Sequence, residues 1–262
     1  MAMDSLLQRL RGWLSRGEGA PSGDGLTPLE RTIYNEGERL IPGLTHGARE
    51  VVRHTSSYAF FRMVIEADLA FGKDIRGRGG IGIVDLGCGV GHGCRTLSAI
   101  QEARITGVDV SPECIEYARS RYSADNVTYR AADLSGYIPG MPEFDYVVSR
   151  GVMEHLPEGL SLILGTRWRN RLLFDVPYDE PAEANVHHVL MGIREADLSG
   201  FADAELFYQD LDGVIYDAAR KPYRPNMIAC VCTRTGLPRV ADIPLVFPVP
   251  AWRPDREAAS PK

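Results

Sequence analysis

From Ile81 to Thr233 short apolar runs alternate with longer, helix-like stretches, and few folds accommodate that order. Seven runs read as strands: IGIVDL (81–86), ARITGVDV (103–110), NVTYRAAD (126–133), FDYVVSR (144–150), RLLFDVPY (171–178), AELFYQDL (204–211) and NMIACVCT (226–233). GCRTLSAIQEA, PECIEYARSRYSA and PEGLSLILGTRWRN separate the early ones. Ser111 before Pro112 and Glu113 marks a helix start, with proline in the first turn. Apolar strands joined through helices require a parallel sheet covered on both faces. The expected fold is α/β, with a seven-stranded, mostly parallel sheet flanked by helices.

The flanks differ in character. Residues 48–71 carry apolar positions at helical spacing (Val51, Val52, Phe60, Phe61, Val64, Ile65),. Leu6, Leu7, Leu10, Trp13 and Leu14 predict a short amphipathic helix, and residues 17–28 have linker composition,. The tail from Leu237 is proline-rich and predicted to be extended. These shifts divide the chain into an N-terminal helical lid and linker (1–75), a core (76–236) and a C-terminal tail (237–262).

Asp4, Arg9 and Arg11 interrupt the N-terminal apolar residues, which does not suit a secretory signal. Five cysteines without zinc-type spacing (Cys88, Cys94, Cys114, Cys230, Cys232) are expected to be reduced, and the compartment to be the cytoplasm,. A net charge of −6 and the absence of a long apolar run favour neither a nucleic acid nor a membrane as partner,. The sequence leaves the oligomeric state open.

The first strand runs into IVDLGCGVGHG (83–93), an acid followed by four glycines within seven positions. Ligands of open parallel sheets bind beyond the carboxyl ends of strands, which is where this loop falls. A phosphate cradle of the GxxxxGK[ST] type would need a lysine that does not follow here. The dinucleotide pattern fails as well, because its third glycine falls on His92.

Together these motifs resemble the class I methyltransferases, Rossmann-like enzymes that use S-adenosylmethionine. VDLGCGVG resembles their acidic loop, and Asp109 follows Gly91 by eighteen residues. The resemblance implies that Asp109 accepts hydrogen bonds from both ribose hydroxyls and that Asp133 meets the adenine amino group. It sets Gly87, Cys88, Gly89, Gly91, Val110, Leu134 and Arg150 against the cofactor. The cofactor's cationic amino and sulfonium groups favour a nearby acid, a part assigned to Asp85. YNEGERLIPG (34–43) resembles a lead-in that folds over the cofactor, with Tyr34, Arg39 and Arg53 as residues to close on its carboxylate.

Methyl transfer demands positioning of a nucleophile and exclusion of water. An amine needs only to be neutral, whereas a hydroxyl wants a base or a metal. Glu154 and His155 follow the fourth strand, and His187 and His188 follow the fifth; these four are the catalytic candidates. Glu154, His155 and a later histidine are also similar to the metal set of small-RNA 2′-hydroxyl methyltransferases. Gly151 replaces that pattern's first glutamate, so no metal is expected.

Between Asp175 and Asp217 stand eleven acids and one base, Arg194. If they form the acceptor wall, a polycation is attracted. Tyr178, Asp179, Glu180 and Asp212 are the substrate-binding candidates. The chain thus looks similar to sugar methyltransferases of natural-product pathways, among them aminoglycoside N-methyltransferases of the gentamicin type. That implies a small cationic acceptor and an antibiotic-biosynthetic role, with O-methylation of a neutral sugar, polyketide or quinone hydroxyl, with or without the help of a metal, as the alternative.

Overall fold

The computed structural model describes residues 25–44, 47–71, 80–234 and 236–252. The amphipathic helix expected within residues 1–19 lies outside them. Strands follow in chain order as β1 (Ile81–Leu86), β2 (Ala103–Asp109), β3 (Val127–Ala131), β4 (Phe144–Arg150), β5 (Trp168–Pro177), β6 (Ala204–Gln209), β7 (Ile215–Asp217) and β8 (Met227–Thr233). They form one sheet in the order β3-β2-β1-β4-β5-β8-β6-β7. The five strands from β3 to β5 pair in parallel, and β8 enters antiparallel between β5 and β6. The strand order reverses between β1 and β4, opening a crevice at their carboxyl ends.

The eighth strand, β7, was not foreseen. Its three residues pair with β6 across the turn Asp210–Val214. Three residues are too few to show a period of two, so the sequence pattern gives no signal there.

Helices α1 (Pro28–Asn35), α2 (Ala48–Phe71), α3 (His92–Leu97) and α4 (Pro112–Arg121) contribute to a core on one face of the sheet. The shorter α5 (Leu134–Tyr137) and α6 (Gly159–Leu164) contribute to the other. Helix α1 starts with a capping box: Thr27 Oγ1 accepts from the Glu30 N–H, and Glu30 accepts from the Thr27 N–H,. Helix α2 is held to the sheet by a fully buried ion pair. Arg171 of β5 donates from Nε and Nη2 to the two carboxylate oxygens of Asp68, at 2.7 and 2.6 Å. The same guanidinium donates to the Pro238 carbonyl, fastening the start of the tail. As far as Trp252 the tail is irregular rather than extended, with a 3-10 turn at Val240–Asp242, and it is packed: Val240, Ile243 and Val249 are buried, and Val249 bridges Ile215.

Among the described residues no helix is long and apolar enough to cross a membrane. All five cysteines are buried and free.

Candidate active site

The turn after β1 sets the floor of a cavity of about 320 Å³. Gly87, Gly89 and Gly91 all have positive φ (76°, 52° and 88°), a region that favours glycine. Their roles differ. A Cβ on Gly87 would fall 2.3 Å from Val152 Cγ2, and one on Gly91 would fall 2.7 Å from Ala118 Cβ. A Cβ on Gly89 would meet nothing within 4 Å. Two glycines therefore let the chain pack, and Gly89 keeps the cavity open.

At the end of β2 the Asp109 carboxylate is fixed from two sides. Oδ2 accepts the Gly89 N–H at 2.9 Å and Oδ1 the Ser111 N–H at 3.0 Å. Each oxygen retains a lone pair for a hydroxyl of a ligand. Val110, Asp133 and Leu134 continue this wall. Asp133 also caps α5, accepting the Gly136 N–H at 3.2 Å. Gly87, Cys88 and Arg150 also line the cavity.

Asp85 sits behind the loop and does not line the cavity. It is fully buried, accepting from Tyr58 Oη at 3.1 Å and from the Cys94 thiol at 3.3 Å. Burial pushes its carboxyl up to about 7,. Whatever it contributes to a ligand must pass through the field or through Tyr58, which does border the cavity.

The segment after α1 lines the cavity with Glu36, Gly37, Glu38, Arg39 and Leu40. Arg39 pairs with Glu36 at 2.9 Å. Tyr34 is a correction to the sequence expectation, because it lines neither this cavity nor the next. Ile33 is the fully buried position of α1, and the following residue lies about 100° round the helix, half-exposed,.

His54, Tyr58 and His92 were missed in the sequence. His54 and Tyr58 belong to α2, whose pattern reports only the core face. His92 follows the last loop glycine and opens α3, so its position was the available signal. Its ring nitrogens are buried and neither is hydrogen-bonded, and burial holds it down at about 3, hence neutral. Arg150, also buried, reaches His54 with Nη1, while its Nε makes no hydrogen bond and lies 3.9 Å from Asp175 Oδ2. Buried polar atoms without partners cost stability unless a ligand completes them.

A second cavity of about 700 Å³ adjoins the first, sharing Glu38, Leu40, His54, Arg150, Gly151 and His155. Glu154, Tyr178, Asp179, Glu180 and His188 line it, as does Arg53, which pairs with Glu50. Glu154 is buried with Oε2 unpartnered, and burial pushes its carboxyl up to about 8. Burial lowers the pKa of His155. The His155 and His188 rings meet edge to face, with centroids 4.8 Å apart. His187 lines only the first cavity; its carbonyl lies 3.0 Å from His155 Nδ1.

The acid-rich run does not form one wall. Of its eleven acids, Asp179 and Glu180 line the larger cavity, and both have partners: Asp179 forms a two-pronged pair with Arg194, and Glu180 meets His188. Asp175 is buried and accepts the Gly151 N–H. Glu205 accepts the N–H groups of Val240 and Ala241, Glu195 holds Lys221, and Asp217 holds Arg220. Asp212, read as a substrate residue, lies outside both cavities on the surface, 3.1 Å from Arg49. Within the larger cavity the carboxylates of Glu38, Glu50, Glu154, Asp179 and Glu180 are mixed with Arg53, Arg150, Arg224 and three histidines.

A glycine turn beside a pinned aspartate thus lies at the crevice of the β3-β2-β1-β4-β5 part of the sheet. Residues 83–165 match the methyltransferase domain family. Trans-aconitate 2-methyltransferase of Mycolicibacterium gilvum is 34% identical over 125 residues, 44% of this chain and 46% of that protein. Malonyl-[acyl-carrier protein] O-methyltransferase of Acetivibrio thermocellus is 37% identical over 62 residues, 23% of this chain and 22% of that protein. The chain thus spans less than half the length of these relatives. The N-terminal domain of EvdMO1, solved with SAH and D-fucose, superposes with a TM-score of 0.52 at 16% identity, covering 89% of this chain and 97% of that one. At that identity the likeness is one of fold: the class I methyltransferase architecture, with β8 inserted antiparallel.

Proposed function

We propose that this protein is an S-adenosylmethionine-dependent methyltransferase acting on a hydroxyl of a small, sugar-type molecule. The observation that carries the reading is the pair of adjoining cavities, one organised by Asp109 and the glycine turn and the other lined by polar side chains. When bound, the cofactor supplies an electrophilic methyl group on a sulfonium. Asp109 offers its free lone pairs to the ribose hydroxyls, and Asp133 stands further along the same wall for the base. The loop around Gly89 gives the nucleoside room. His92 and Arg150, with nitrogens that make no hydrogen bond, suit the methionine amino and carboxylate groups, and the Glu36–Leu40 segment excludes water,.

A polyhydroxylated acceptor fits a cavity with donors and acceptors on every side, and Tyr178 offers a face for a sugar ring. The relatives whose names specify the atom transfer to oxygen, and the EvdMO1 domain was solved with D-fucose. His155, His188, Glu38 and Glu154 surround the passage between the cavities, where the hydroxyl must lose its proton. Methylation of an aminoglycoside amine is the second reading. Asp179 and Glu180 favour it, although Asp179 already pairs with Arg194 and Glu180 with His188.

Transfer of labelled methyl from S-adenosylmethionine to a panel of neutral sugars, sugar-bearing natural products and aminoglycosides tests the proposal. Labelled product from a neutral hydroxyl acceptor supports it. Turnover confined to aminoglycosides moves the assignment to the amine, and no turnover of either class overturns it.

A further inference from the structure

We propose that Glu38, His155 and His188 bind one divalent first-row transition-metal ion at the passage between the two cavities. Their ligand atoms lie within 4.8 Å of one another, and His188 Nε2 is 3.1 Å from Glu38 Oε2. Metal–ligand bonds of about 2.1 Å place two ligand atoms at most about 4.2 Å apart, so binding requires a small side-chain rotation across the widest gap.

The orientation of the imidazoles is the stronger argument. His155 is held at Nδ1 by the His187 carbonyl, and His188 at Nδ1 by the Glu180 carboxylate. A histidine that donates from Nδ1 carries its lone pair on Nε2, and metal-binding histidines are commonly fixed in this way by a carbonyl or carboxylate. Both rings are so held, by two different kinds of acceptor. Glu154 lines the same cavity, buried and with Oε2 lacking a hydrogen-bond partner.

Two imidazoles and one carboxylate suit manganese, iron, cobalt, nickel or zinc better than magnesium or calcium, which prefer oxygen ligands. The two histidines were within reach of the sequence pattern, but Glu38 was not, because it comes from the segment between α1 and α2 while the histidines follow β4 and β5. An ion there would tie Glu38, and with it the segment over the smaller cavity, to the body of the domain. If the larger cavity holds the acceptor, as proposed above, hydroxyl oxygens of that acceptor complete its coordination. Binding of the ion does not depend on that reading.

The test uses tag-free full-length protein, stripped with a chelator, dialysed and titrated with manganese, cobalt and zinc by calorimetry. Cobalt absorption spectra give a second readout. One ion per chain is expected. His188→Ala should weaken binding at least 10-fold, and Glu180→Gln, which removes the carboxylate holding His188, by about 10- to 100-fold. Because His188 lines only the larger cavity, retained S-adenosylhomocysteine affinity in His188→Ala shows that the variant is folded. If that affinity is lost, unchanged circular dichroism and Glu38→Gln serve instead. No binding of any of the three ions at millimolar concentration overturns the proposal, as does binding that neither His188→Ala nor Glu38→Gln weakens. Metal binding without methyl transfer to any acceptor overturns the function proposed above and leaves this inference standing.

Discussion

Asp109 Oδ2 accepts the backbone N–H of Gly89 at 2.9 Å, joining the end of β2 to the open point of the turn after β1. The bond fixes the carboxylate at the mouth of the smaller cavity and fixes the turn around it. Both partners are therefore in place before any ligand arrives, which lowers the ordering cost of binding.

The buried Asp85 behind this turn gives a prediction with two signs. Its pKa is raised from the ordinary carboxylate range to about 7, chiefly by burial, with the nearby Asp109 charge adding to it. A raised acid contributes stability that is present below about pH 4 and lost as pH rises through about 7. Asp85→Asn keeps an acceptor for the Tyr58 hydroxyl and removes the buried charge. At pH 8 it should raise stability by about 2 kcal/mol, a Tm gain of about 4–8 °C, and near pH 4.5 the gain should shrink towards zero. S-adenosylmethionine affinity at pH 8 should fall. Thermal melts at the two pH values, with calorimetry at pH 8, check both signs.

Much of this site was legible because its signals are local. The acid, the three loop glycines and Asp109 fall at strand ends that a period of two and a short turn reveal. Tyr58, His54 and Glu38 were not legible. The first two sit on a helix whose apolar spacing announces only its core face, and Glu38 matters through partners far away in the chain. The acid-rich run misled for the same reason. Sequence counts Glu205, Glu195 and Asp212 as charge, while the fold matches them with Val240 and Ala241 N–H groups, Lys221 and Arg49.

Asp212 makes that correction measurable. Both members of the Arg49–Asp212 pair are more than half exposed, and such pairs contribute about 0–1 kcal/mol. Asp212→Asn should leave KM for the acceptor and S-adenosylmethionine affinity within about twofold of the parent. A severalfold rise in acceptor KM would return this residue to the acceptor site.

The Asp68–Arg171 pair has the opposite character, being fully buried between α2 and β5. Arg171→Met strands the Asp68 carboxylate and should cost about 3–5 kcal/mol in urea unfolding. The double variant Asp68→Leu/Arg171→Met should recover part of that loss, because no charge is left buried without a partner. Equal losses in the single and double variants would show that the hydrogen bonds of Arg171 to Thr233 and Pro238 matter more than the pair.

The central claim is that the smaller cavity binds S-adenosylmethionine through Asp109, and calorimetry of S-adenosylhomocysteine binding to the parent and to Asp109→Ala tests it most directly. The account predicts one site per chain in the parent. In the variant, loss of an acceptor shared by two hydroxyls should cost about 1.5–3 kcal/mol, or roughly 10- to 150-fold in affinity, with the fold intact by circular dichroism. No binding to the parent at millimolar ligand, or equal affinity in a folded variant, would contradict it.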